Sequence, residues 1–181
     1  MIVCESDQGA TMRHRATLAI GFLLLAVPPA LGQTAADGSE RITAGIVAHE
    51  LEAMNLSAKT DQDESSDPRV TTKVDGYNWS IYFYDCGTGP LEERGCTSYQ
   101  FYSGYQVSTN FPLATINKWN TEKRYAKAYT SLQRDKTTNA RIEIDVLLAG
   151  TGADPGRSFR ANFAKMRNAA ENFRQAIGFG K

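Results

Sequence analysis

Histidine, cysteine and a surplus of either charge are scarce in this chain, and each scarcity excludes something. Two histidines and three cysteines are spread over 181 residues, and twenty basic side chains are balanced by twenty acidic ones. A neutral balance sets up no field to draw in nucleic acid or an acidic membrane surface. Beyond residue 32 the histidines and cysteines are reduced to His49, Cys86 and Cys96, a poor zinc set. A nucleophilic triad needs a histidine positioned by a third group. His49 stands in a helical pattern next to Glu50, with no G-x-S-x-G in the chain, so it reads as a surface residue. No cofactor and no catalytic constellation is expected.

Long apolar runs are also lacking, with one exception near the start. Met12-Arg13-His14-Arg15 is basic, Leu18 to Ala30 is apolar, and Ala30-Leu31-Gly32 sets small residues where a signal peptidase reads. The run is short for a bilayer span and has the three parts of a secretory signal. Residues 1–32 are therefore read as a signal peptide with Met12 as its true start, cleaved before Gln33. Residues 33–39 form a polar leader, and 40–179 form one domain. The expectation is a periplasmic or secreted bacterial protein with no stable membrane insertion after cleavage.

What is present is alternation. Glu40 to Asn55 has Ile42, Ile46, Val47, Leu51 and Met54 near helical spacing, with Ser39 as N-cap. A short strand at Leu56 to Thr60 follows. Asp61 to Pro68 resembles a calcium loop, but Ser66 replaces the required glycine and Thr72 the closing glutamate; a solvated hairpin loop fits better. Val70 to Val74 ends at Asp75-Gly76, a strong hairpin signal. Tyr77 to Cys86 places Trp79, Ile81 and Phe83 on one face and Asn78, Ser80, Tyr82 and Tyr84 on the other. Cys96 to Tyr105 returns as a strand with Tyr99 and Phe101 alternating against Gln100 and Tyr102. Leu113, Ile116 and Trp119 then mark a short helix, followed by a strand at Tyr125 to Leu132. Ala140 to Leu148 points Ile142, Ile144, Val146 and Leu148 inward and Arg141, Glu143 and Asp145 outward.

The last helix runs from Pro155 to Ile177, with Phe159, Phe163, Met166, Ala170, Phe173 and Ile177 as its apolar stripe. It carries Arg157, Arg160, Lys165, Arg167 and Arg174 against Glu171 alone, which reads as a solvated face and, as the lesser reading, as a contact for an acidic partner. Gly150 to Ser158 lies where a phosphate loop would lie, but Thr151 and Arg157 occupy the positions of its glycine and lysine; a helix N-cap turn accounts for it. Glu92-Glu93 and Glu143 with Asp145 could serve acid–base chemistry; solvation and cross-strand pairing explain them better.

The fold class is α+β: an antiparallel sheet with helices packed on one face, in the order α-β-β-β-β-α-β-β-α. Cys86 closes one strand and Cys96 opens the next, so in an exported chain they are expected to form a disulfide, worth roughly 2–3 kcal/mol for so short a loop.

Ile116-Asn117-x-Trp119-Asn120 followed by Arg124-Tyr125 resembles the I-N-x-x-N…R-[FY] signature of the YbjN-domain family, bacterial proteins assigned to sensory-transduction regulation. Asp67-Pro68 before a strand, the YFYDC strand end and the closing strand and helix extend the resemblance over Glu40 to Phe179. It implies a fold like that of the type III secretion chaperones, commonly dimeric, with no catalytic residues and no cofactor. The export signal and the cysteine pair depart from the cytosolic members. Physically, Asn117 and Asn120 sit where helix gives way to strand and can bond free backbone groups there, so the motif reads as a folding device.

The leading functional expectation is a non-enzymatic, chaperone-like or regulatory domain that binds a protein or peptide, or a second copy of itself. The competing class is a small-molecule sensor or carrier using the concave side of the sheet; an enzyme comes third. Parity brings Tyr82, Tyr84, Tyr102, Tyr125 and Tyr129 to the face away from the helices, a candidate partner surface, since tyrosine combines contact area with tolerance of water.

Overall fold

The computed structural model describes residues 40–180; the signal peptide, its cleavage site and the leader expected above lie outside them. Nine elements follow in the expected order: α1 (Ala44–Ala53), β1 (Lys59–Gln62), β2 (Pro68–Val74), β3 (Tyr77–Cys86), β4 (Cys96–Val107), α2 (Leu113–Glu122), β5 (Lys127–Leu132), β6 (Thr138–Leu147) and α3 (Pro155–Ala176). The strands make one open sheet in the order β1-β2-β3-β4-β6-β5, with every neighbouring pair antiparallel. α2 carries the chain from β4 out to the edge position of β5, and β6 returns to fill the gap between them.

Local chemistry explains most boundaries. Asp75 and Gly76 both adopt positive φ, 52° and 84°, the two-residue geometry whose twist matches that of flanking strands. Asp154 caps α3 by accepting from Arg157 N at 2.7 Å, and Pro155 occupies its first turn, where a missing N–H costs nothing. Gly178 follows α3 with φ 68°, the left-handed stop that glycine supplies.

Several boundaries differ from the sequence reading, β2, β4 and β6 by residues added or moved at their ends, and three others are instructive. The first helix starts at Ala44 under a Thr43 cap, not after Ser39, because Ile42 is held in a two-bond bridge with Cys96 and cannot also be helical. β1 begins at Lys59, and its partner Thr71 fixes that register. β5 begins at Lys127 rather than Tyr125. Trp119 Nε1 donates to Ala126 O at 3.0 Å and Lys123 N to Trp119 O at 2.9 Å, so residues 123–126 fold back over the end of α2 before strand pairing can start.

All three helices contribute to one core against one face of the sheet. Trp79, Ile81, Phe83, Tyr99, Phe101 and Ile142 are at most 1% exposed, and the α3 stripe of Phe159, Phe163, Met166, Ala170 and Phe173 is buried with them. Rings interlock across the layers: Trp79 and Phe163 at 5.5 Å, Phe101 and Phe159 at 5.3 Å, Trp119 and Phe173 at 5.0 Å between centroids. Such contacts add directional packing to the burial of area. Leu113 was grouped with Ile116 and Trp119, but at the first turn of α2 it points away from the core and is 61% exposed. The buried Glu50 of α1 is paired with Arg160 of α3, and a Cβ at Gly156 would collide with Glu50 Oε1. Glycine there lets α3 approach α1 closely. Among the described residues, no helix is long and apolar enough to cross a membrane.

Candidate functional site

The face of the sheet opposite the helices is built by the same strands in the other parity. Register sets Arg69 beside Tyr82, Tyr82 beside Gln100, and Gln100 beside Asp145. It likewise sets Tyr102 beside Glu143, and Glu143 beside Lys127 of β5. Tyr82, Tyr84, Tyr102 and Tyr129 therefore share this face, as parity suggested. Their rings are tied down. Tyr82 and Tyr102 meet edge to face at 5.8 Å, and the Arg141 guanidinium lies 5.2 Å over the Tyr102 ring. Tyr129 Oη donates to Glu143 Oε2 at 3.0 Å, and Tyr84 Oη to Gln100 Oε1 at 3.4 Å.

Glu143 sits in the middle of this layer and is only 5% exposed. Sequence reasoning gave it a cross-strand charge pair; the structure supplies one from Lys127 and covers it with Tyr129. Its counter-ion is Lys127, which also reaches Asp145 at 3.5 Å, while Arg141 stacks on tyrosine instead. The hydrogen bond to Glu143 raises the Lys127 pKa. Burial pushes the Tyr102 hydroxyl up to about 12. At the β1 end, Arg69 holds Asp61 through two bonds of 2.7 and 2.9 Å.

One row of the face is less restrained. Tyr84, Ser98 and Leu147 lie side by side across β3, β4 and β6, with Tyr84 39% and Leu147 65% exposed. Leu147 was not singled out from the sequence, although its outward parity follows once Leu148 is assigned inward.

Tyr125 does not join the other tyrosines. It is 65% exposed on the helix side, with Lys165 of α3 5.5 Å from its ring and Arg124 at 5.5 Å. The bend that delays β5 is what takes it off the sheet. The motif residues around it divide by task. Ile116 and Trp119 are core. Asn120 accepts from Ala128 N and donates to Ala128 O, both at 2.9 Å, which satisfies the outer edge of β5 as another strand would. Asn117 is exposed, and its side chain makes no hydrogen bond among the described residues, so only one of the two asparagines bonds backbone in the expected way.

The other candidates resolve into local structure. Cys86 and Cys96 form a disulfide between directly paired positions. His49 and the Glu92-Glu93 pair are exposed. In the acidic turn, Asp63 Oδ1 accepts from Ser65 N and Asp67 N at 2.8 and 3.0 Å, so the carboxylate closes its own loop. The glycine-rich turn before α3 gives Thr151 N and Gly152 N to the Glu40 carboxylate at 3.2 and 2.6 Å, and an internal anion takes the donors a phosphate would need. Two clefts of about 450 Å3 lie away from the tyrosine layer's centre, one at the free end of β2 and one between the α2–β5 bend and α3.

No family model matches the chain, and no curated protein is similar to it in sequence. A solved structure, that of YbjN, a proposed transcription regulator from E. coli, aligns with 72% of this chain and 85% of its own at 16% identity, with a TM-score of 0.49. That is a likeness in the course of the chain; it carries no residue role or activity across.

Proposed function

We propose that this domain is a non-enzymatic binding module that is exported and recognises a protein partner through the open face of its sheet. The observation that carries the reading is the exposed row Tyr84–Ser98–Leu147, flanked by tyrosines already fixed by neighbours. Aromatic and apolar side chains held in place before contact lose little freedom on binding. The polar bonds around them remain satisfied when water is displaced, so covering the face strands no buried charge. A disulfide suits an oxidising compartment and supports export. A non-enzymatic role is supported by the fates of the reactive groups among the described residues: Cys86 and Cys96 are joined to each other, and His49 stands exposed on α1.

The test replaces Tyr84 and Leu147 together by Ser. Neither is buried, so the circular dichroism spectrum is expected to be unchanged. Affinity capture from envelope extract should retain partners on the wild type that the double variant loses, or sedimentation should show a wild-type self-association that disappears. The same captured set and the same sedimentation for both proteins would move the site off this face.

A further inference from the structure

The cleft between the α2–β5 bend and α3 is a second surface with a different chemistry. Lys123, Arg124 and Lys165 stand around two aromatic rings: Lys123 lies 5.6 Å from the centre of the Trp119 ring, and Arg124 and Lys165 each 5.5 Å from that of Tyr125. All three cations are exposed, and none forms an ion pair with a described residue. The acids nearest in sequence are directed elsewhere. Glu122 faces Lys118 at 3.8 Å, and the charge of Glu171 acts on Arg167. Among the described residues, no acidic side chain lines the cleft.

The remaining basic residues of α3 sharpen the contrast. Arg160 is paired with Glu50, Arg167 with Asp75, and Arg174 lies 4.3 Å over the Tyr77 ring. These three are held within the fold, whereas Lys165 donates only to the neutral Asn162 Oδ1 at 3.3 Å and, like Arg157 at the helix start, has no carboxylate partner among the described residues. Asn172 donates its amide to Asn168, which leaves the Asn168 amide N–H groups as further donors at the rim.

We infer that this cleft binds an acidic peptide segment of another protein, one that combines a carboxylate side chain with a neighbouring apolar one. Three cations on a chain of zero net charge are a local site and too few for the extended phosphate tracking that nucleic acid requires. Tyr125 is 65% exposed, so a small anion would keep most of its water and gain little from charges at high dielectric. A peptide gains from both chemistries, with carboxylate to the cations and apolar side chain against the exposed Tyr125 ring. It cannot dock by adding a strand at this point, because Asn120 already holds both backbone groups of Ala128. Recognition falls to the side chains. The site is separate from the open-face surface, and either can fail without the other.

The experiment titrates the full domain with fluorescent synthetic peptides of repeated Glu-Glu-Leu-Gly, Gln-Gln-Leu-Gly and Lys-Lys-Leu-Gly. The glutamate peptide is expected to bind at least about tenfold tighter than the glutamine peptide and to weaken as salt rises. Replacing Arg124 and Lys165 together by Glu should cost that binding at least about tenfold and transfer preference to the lysine peptide. The Tyr84→Ser/Leu147→Ser protein should bind as wild type does. The salt dependence of the wild type keeps the test valid if the charge-reversed protein fails to fold. Equal binding of the glutamate and glutamine peptides, or no loss on charge reversal in a folded variant, overturns the inference. So does binding of inorganic phosphate or phosphatidylserine vesicles through the same residues with no binding of the peptide. A wild-type dimer dissolved by the charge reversal would assign the cleft to a second copy and overturn it as well.

Discussion

The two faces of the sheet are made by the same strands and are held by different physics. On the covered face, Trp79, Ile81, Phe83 and Phe101 are buried in the core beneath the helices, and their contribution is area removed from water, non-directional and large. On the open face, the neighbouring positions Tyr82, Tyr84, Gln100 and Tyr102 remain partly in water and are joined by hydrogen bonds and edge-to-face rings, with the Lys127–Asp145 ion pair on the same face. Each such contact nets little in water, but together they fix where each side chain points. Stability is concentrated on one face, and the other is left to present chemistry. That division can be broken or sharpened by measurement.

The largest effect belongs to the covered face. Phe163 is 4% exposed and packs on Trp79, Phe101 and Phe159. Phe163→Ala should cost about 3–5 kcal/mol in urea unfolding through lost burial and the cavity left behind. Tyr84→Ala, on the open face, should change stability by less than about 0.5 kcal/mol. Comparable losses from the two would erase the distinction between the faces.

The covered face is also what the sequence shows best. Alternation in β3 and β6 and the three-four spacing in α3 record a side-chain direction at every step, so the core residues and the strand order along the chain follow from pattern alone. The hairpin at Asp75-Gly76 and the disulfide are local or nearly so and are equally readable. The failures share a cause: a distant contact overrides the local pattern. Ile42 has helical spacing but is claimed by Cys96; Tyr125 has strand parity but is turned aside by the Trp119–Ala126 bond. Glu143 reads as an outward residue in a cross-strand charge pair, and only the placement of β5 at the sheet edge makes Lys127 its partner and brings Tyr129 over it. The cationic cleft joins Lys123 and Arg124 to Lys165, residues far apart in sequence. The basic excess of α3 pointed toward it without saying which cations would lack a carboxylate partner.

An intermediate effect tests the border between the faces. Ala128 presents its N–H and C=O at the free edge of the sheet, and Asn120 satisfies both. Asn120→Ala should cost about 1–2 kcal/mol for the two bonds and leave an open strand edge, a template for pairing with another chain. Sedimentation should then show association that rises with concentration and is absent in the wild type. Asn120→Asp can still accept from Ala128 N but cannot donate to its carbonyl, and should fall between the two. A monomeric, fully stable Ala variant would mean that packing of α2 alone protects the edge.

A smaller effect lies on the open face itself and carries a pH signature. Asp61 on β1 and Arg69 on β2 are directly opposite, joined by two bonds and each about one-third exposed. The hydrogen bonds from Arg69 lower the Asp61 pKa below its ordinary value. A carboxylate whose folded-state pKa is depressed stabilises the fold above its unfolded pKa of about 4, and that stabilisation is lost as pH falls through the folded value. Asp61→Asn should therefore cost about 0.5–1 kcal/mol at neutral pH, the upper range for a partly exposed pair. The gap between wild type and variant should close on acidification, because the wild type loses what the variant never had. Screening gives a second handle, since added salt should shrink the neutral-pH gap. A gap that persists at low pH would assign the loss to packing of the short edge strand, and the open face would then be held, at that end, by the same physics as the covered one.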